Sequence, residues 1–214
     1  QSASMTSNTA ASSSDVHDLD GQWLDRRDDA LCMDGVPLDR IAAAVGTPFY
    51  AYSAAALRAS YTALTKAVAP HGVAVCFAVK ANSNTHVLAE FARLGCGMDI
   101  VSGGEMTRAL AAGTPPERII FSGVGKTRTE IRAALDTGLH QINVESAEEL
   151  DVVACVAREL GLRTPVAFRV NPDVDAKTHA KITTGRKDSK FGIPTADIPA
   201  LYATAAARPE LNVV

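Results

Sequence analysis

The chain has 214 residues, 47% hydrophobic and 21% charged, with a formal net charge of −3 and a pI near 6.0. This composition suits a globular protein with one core, or a large piece of one. It excludes a basic nucleic-acid-binding face, and no apolar run approaches the roughly 20 residues that span a bilayer.

The opening stretch "QSASMTSNTAASSSD" has no apolar centre, so it is not a signal peptide and reads as a disordered Ser/Ala/Thr tail over 1–15. Residues 1–4 precede Met5 and are expected to be an expression scar. Residues 16–53 form a lead-in, in which "LCMDGVPLDRIAAAVG" holds one turn and one short helix. "TPFYAYS" (47–53) alternates and is aromatic, which predicts a short strand. "AAALRASYTALTKAVA" (54–69) has helical spacing and stops at Pro70.

A rhythm then begins. Strands are predicted over 73–79, 97–102, 118–123, 140–146 and 165–171. Between them lie helices over 85–95, 104–113, 128–138 and 147–161, the first three closed by glycine. A long loop (172–194), a helix (196–207) and the start of a sixth strand (211–214) follow. Apolar strands alternating with helices mean parallel pairing with helices outside. A doubly wound sheet and a (β/α)8 barrel both fit. The even step of about 21–26 residues and the lack of a glycine-rich first turn favour the barrel. The expected fold is therefore α/β, an incomplete (β/α)8 TIM-like barrel over 54–214 with about five complete βα units plus a sixth strand. Such a piece would carry two raw sheet edges and an uncovered core. The chain is thus expected to belong to a longer protein, and to associate or aggregate when alone.

Cys32, Cys76, Cys96 and Cys155 are scattered and form no CxxC pair, which suits reduced thiols in the cytoplasm. The five histidines show no HxH or HExxH spacing, so no metal site is expected. "FSGVGKT" (121–127) resembles a phosphate loop, but the required first glycine is Ile120, inside a strand. It reads as a βα turn with a helix cap at Thr127.

Three charges stand out. Asp99 lies inside a strand, where a carboxylate must be paired or hydrogen-bonded. Arg169 poses the same question in "AFRVN". The two could satisfy one another, or both could face a polar ligand. Lys80 ends the strand of "CFAVKANSN" (76–84), at the barrel face where chemistry sits. One reading is a rim lysine snorkelling to solvent. The other is a Schiff-base lysine, because partial desolvation favours the neutral nucleophilic amine, and Ala78, Ala81 and Ser83 leave room for a flat ring.

Taken together, "FAVKANSN", "GCGMDIVSGGE", "RIIFSGVGKT", "INVESAEEL", "FRVNPDVDAKTHAKITTG" and "SKFGI" resemble successive blocks of the bacterial diaminopimelate decarboxylase family, colinear from about Gly46 to Val214. "THAKITTG…SKFGI" sets the sequence apart from ornithine and arginine decarboxylases. The resemblance implies a pyridoxal 5'-phosphate enzyme of alanine-racemase-like fold, a barrel plus a C-terminal β domain against which 47–53 would pack. It implies decarboxylation of meso-diaminopimelate to L-lysine by a cytoplasmic homodimer acting on a small amino acid, with neither nucleic acid nor membrane as partner. Lys80 matches the cofactor-bearing lysine, Asp99 and Arg169 match polar residues supporting the cofactor and its lysine, and His179 matches a mobile loop at the substrate entrance. The family's His-Ile-Gly-Ser block, phosphate cup, pyridine-facing acid and cross-dimer Cys and Tyr have no counterpart in these residues. The chain alone is therefore expected to be inactive. The alternatives are a decarboxylase of another diamino or carrier-bound amino acid, and a non-catalytic cofactor-binding fragment.

Overall fold

The computed structural model describes residues 23–172 and 191–214. The expected 1–15 tail and His179 lie outside them. The chain divides into two compact units, residues 1–66 and 67–214.

In the first unit, β1 (Leu24–Arg27), β2 (Ala30–Met33) and β3 (Val36–Pro37) form an antiparallel three-stranded sheet. Both connections are two-residue turns, Asp28–Asp29 and Asp34–Gly35, and all four residues have positive φ. That is the twist-matched turn of a hairpin, which Asp and Gly tolerate best. The sequence reading finds one turn here and misses the strands, although Asp-Gly between apolar residues is itself a hairpin signal. Helix α1 (Leu38–Val45) follows. Asp34 then accepts hydrogen bonds from Ser53 Oγ (2.6 Å) and Ala55 N (3.2 Å), at the start of α2 (Ala54–Val68).

The predicted strand at 47–53 does not form. Burial alternates along Phe49, Tyr50, Ala51, Tyr52 and Ser53, as expected for an extended segment. Yet among the described residues no strand pairs with it, and Tyr50 is 90% exposed. Alternation makes a strand only when a second strand takes up its backbone groups.

The second unit holds the βα rhythm. Its strands are β4 (Cys76–Ala78), β5 (Gly97–Ile100), β6 (Ile119–Phe121), β7 (Gln141–Val144), β8 (Thr164–Phe168) and a late strand, β11 (Leu211–Val213). They form one six-stranded parallel sheet in the order β4-β5-β6-β7-β8-β11. A doubly wound sheet would reverse its order at a switch point. This one follows the chain without reversal, as a partial (β/α)8 barrel does. Right-handed crossovers in that order put every helix on one side. These helices are α3 (Thr85–Arg93), α4 (Gly103–Ala111), α5 (Arg128–Thr137), α6 (Ala147–Leu160) and, after the short parallel pair β9 (Val170–Asn171) with β10 (Ile193–Pro194), α7 (Ile198–Ala206).

Side chains alternate accordingly. Met98, Ile100, Ile119, Phe121, Val144 and Val166 are 0% exposed on the helix-covered face. Each such burial is worth about 1.5–3 kcal/mol. On the opposite, inward face Ala78, Asp99, Ile120, Asn143 and Ala167 are half-buried. This face carries the polar groups.

The helix starts repeat one device. Ser102, Thr127 and Ser146 each accept from the backbone N–H three residues on, at Glu105, Glu130 and Glu149. Each glutamate reaches back, to Val101 N, Thr127 N and Glu145 N respectively. These are capping boxes or close variants, each worth about 1 kcal/mol. Glu130 also accepts from Gly103 N (2.7 Å), so the cap of α5 is tied to the start of α4.

Candidate active site at the strand C-termini

The predicted strand over 73–79 narrows to Cys76–Ala78 and gives way to a single 3₁₀ turn, Val79–Ala81. Val79 is fully buried and anchors this turn, while Lys80 is exposed. The register pairs Ala78 with Asp99, so Lys80 lies just beyond the carboxylate's row, at the C-terminal rim. Its amine has no hydrogen-bond or ion-pair partner among the described residues.

Lys126 is the contrast. Its side chain is 0% exposed, and Nζ donates to Gly123 O (2.7 Å), Asn143 O (2.7 Å) and Glu149 Oε1 (2.6 Å). Burial pushes the Glu149 carboxyl up, and the charge and hydrogen bond of Lys126 oppose that. The "GKT" of the resembled phosphate loop is thus a brace between β6 and β7, with Thr127 capping α5 as expected.

Asp99 and Arg169 do not meet. Asp99 lies on β5 and Arg169 directly follows β8, and β6 and β7 stand between those strands. Asp99 Oδ1 instead accepts from Ser122 Oγ (2.5 Å). Ser122 Oγ accepts from Asn143 Nδ2 (3.0 Å), and Asn143 Oδ1 from Gln141 Nε2 (2.7 Å). Arg169 Nη1 lies 3.0 Å from each carboxylate oxygen of Glu145, and its guanidinium sits 5.4 Å from the Phe191 ring centroid. Glu145 is buried and also accepts from Gly123 N (2.9 Å). Gly123 has φ +97°, and a Cβ there would meet Val101 Cβ at 3.1 Å, so the turn needs glycine.

Cys76 is paired in register with Gly97, two residues before Asp99. Burial pushes its thiol up and the Asp99 charge adds to this. Both effects disfavour the thiolate, which is the nucleophilic form. Sequence reasoning singles out Lys80, Asp99, Arg169 and His179, and misses Ser122, Asn143, Glu145 and Lys126. Only the caps at "SAEE" and "TRTE" hint at ordered loops there; nothing in the spacing shows which side chains meet.

Among the described residues no cluster of His, Cys, Asp and Glu could hold a metal ion, and no helix is long and apolar enough to cross a membrane. An amine with no partner among the described residues, at a barrel rim and close in sequence to the small residues Ala78 and Ala81, does fit an aldehyde cofactor. These features define a partial βα barrel with an exposed lysine at the C-terminal end of its first strand.

Residues 54–214 match the family model of the pyridoxal-dependent decarboxylase pyridoxal-binding domain. The chain belongs to that family. It is 54% identical to the diaminopimelate decarboxylase of Pseudomonas aeruginosa over 88% of this chain and 45% of the relative. It is similar to the crystal structure of diaminopimelate decarboxylase from Helicobacter pylori complexed with L-lysine. That match has a TM-score of 0.77 and 38% identity, over 83% of this chain and 45% of the other. The M. jannaschii diaminopimelate decarboxylase in complex with L-lysine gives a TM-score of 0.81 and 35% identity, over 90% and 46%. The chain thus spans about 45% of the length of these relatives.

Proposed function

We propose that this chain is the N-terminal, lysine-bearing portion of a pyridoxal-phosphate-dependent decarboxylase that converts meso-2,6-diaminopimelate to L-lysine and CO2. The observation that carries it is the contrast between two lysines of the pyridoxal-binding domain. Lys126 has every proton engaged, whereas Lys80 presents at the catalytic rim an amine with no partner among the described residues. Relatives of the same name and neighbours crystallised with L-lysine support the substrate class.

In this reading Lys80 is the nucleophilic amine that anchors the cofactor through its aldehyde carbon. Bound there, pyridoxal phosphate supplies the electron sink for the pair left when the carboxylate departs. Asp99 presents a carboxylate from the inward face, with Oδ1 held by Ser122 and Oδ2 free of hydrogen-bond partners among the described residues. Arg169, already answered by Glu145, is a fixed charged wall whose freedom to chase other anions is curtailed. His179 contributes from the substrate loop. Substrate choice, the homodimer and a cytoplasmic setting in lysine biosynthesis complete the reading.

The test is CO2 release by the full-length protein from meso-diaminopimelate against a panel of ornithine, arginine and lysine. Preference for meso-diaminopimelate is expected. Faster turnover of another amino acid overturns the substrate assignment.

A further inference from the structure

We propose that Ser122 and Asn143 are positioning residues that aim the Asp99 carboxylate at the ligand on Lys80; this rests on the reading of Lys80 and Asp99 above. Three adjacent parallel strands and their ends supply a chain of hydrogen bonds whose donors all point one way. Gln141 Nε2 donates to Asn143 Oδ1, Asn143 Nδ2 to Ser122 Oγ, and Ser122 Oγ to Asp99 Oδ1.

The direction is enforced. A serine hydroxyl has one hydrogen. Were the Asn143 amide turned over, its oxygen would take that hydrogen and Asp99 would lose its donor. A carboxylate only accepts, so the hydroxyl hydrogen goes to Asp99, Ser122 Oγ takes the Asn143 N–H, and Asn143 Oδ1 is left for Gln141 Nε2. The backbone beneath the chain is pinned as well. Lys126 holds the carbonyls of Gly123 and Asn143, and Glu145 holds the N–H of Gly123. Asp99 is only half-buried on the inward face, so packing alone leaves its carboxylate room to rotate. The hydroxyl takes Oδ1 out of play and leaves Oδ2 for a ligand. Neighbouring strands, rather than Asp99's own, decide where that oxygen points.

The experiment uses the full-length protein with pyridoxal phosphate as the probe. Visible absorbance of the bound cofactor is recorded first, then kcat and KM. Ser122→Ala should shift the position or pH midpoint of the absorbance band. It should lower kcat about tenfold while KM changes less than about twofold, the scale of one hydrogen bond to a charged group. Ser122→Thr, which keeps the hydroxyl, should restore both. Asn143→Asp keeps the shape but adds a carboxylate competing for the same hydrogen, and should shift the band as Ser122→Ala does.

Band and kcat unchanged in both Ser122→Ala and Asn143→Asp would overturn the proposal. So would losses that merely follow the melting temperature and are not rescued by Ser122→Thr. The absorbance readout needs no substrate, so it decides the matter even if the parent rejects meso-diaminopimelate. A parent with no cofactor band overturns the Lys80 reading and this proposal with it.

Discussion

Arg169 is held by Glu145 and not by Asp99, with Nη1 3.0 Å from both carboxylate oxygens. The pair is lopsided, because the arginine side chain is 41% exposed and the glutamate 3%. Water can solvate Arg169 if its partner is lost, but it reaches Glu145 poorly. The costly half to orphan is therefore the acid.

Arg169→Met should destabilise the full-length protein by about 1–3 kcal/mol, the penalty of an under-satisfied buried polar group. Glu145→Gln keeps an acceptor for Gly123 N and should cost less. The double variant should recover part of the Arg169→Met loss, with a coupling of about 0.5–3 kcal/mol in urea unfolding. Strict additivity would show that the contact carries no energy.

Lys80→Ala should abolish the visible band of bound pyridoxal phosphate and nearly all turnover in the full-length protein. Stability should change by less than about 0.5 kcal/mol, because the residue is exposed and its amine has no partner among the described residues. Borohydride-trappable cofactor retained at full stoichiometry would refute the assignment.

Gly97→Ala should be destabilising by about 1–3 kcal/mol through overpacking. A Cβ at this position would lie 2.5 Å from Cys76 Sγ and 2.9 Å from Arg118 O. Cys76→Ala removes only the first clash, so it should rescue the variant partially. Thermal melts of the two single variants and the double variant measure this, and full rescue would mean that the backbone contact is harmless.

The cap at Glu130 predicts a pH signature. The Gly103 N–H, then the Thr127 N–H and hydroxyl, hold its carboxyl below the usual range against a small opposing effect of burial. A depressed folded pKa contributes stability that is present above the unfolded value, about 4.3, and lost as pH falls through the folded one. Glu130→Gln should therefore cost about 1 kcal/mol at pH 7. The gap to the parent should narrow between about pH 5 and pH 3 in parallel denaturant titrations. A gap independent of pH would assign the effect to shape and not to charge.

Much of the βα unit was legible without coordinates. Alternation of apolar strand and amphipathic helix, with glycine after α5 and α6 and Ser or Thr before α4, α5 and α6, placed those elements to within a few residues. These are local signals, since caps and periodicity act over three or four residues. The same local logic predicts a strand over 47–53, a segment that pairs with no strand among the described residues. It also missed the β1–β3 hairpins, whose short strands LDRR, ALCM and VP carry little alternation.

By itself, then, the sequence determined the alternating parallel architecture, the position of Lys80 at a strand's C-terminal end, and the cap of the turn before α5. Only the tertiary structure decided who meets whom across the sheet. Asp99 found Ser122 rather than Arg169, Arg169 found Glu145, and Lys126 turned inward while Lys80 stayed exposed. The physical reason is that such contacts depend on strand order and on a pairing register. They join residues far apart in the chain, as with Asp99 and Ser122, whose separation is 23. A polar residue's own neighbours in sequence say that it needs a partner, but the fold chooses which one.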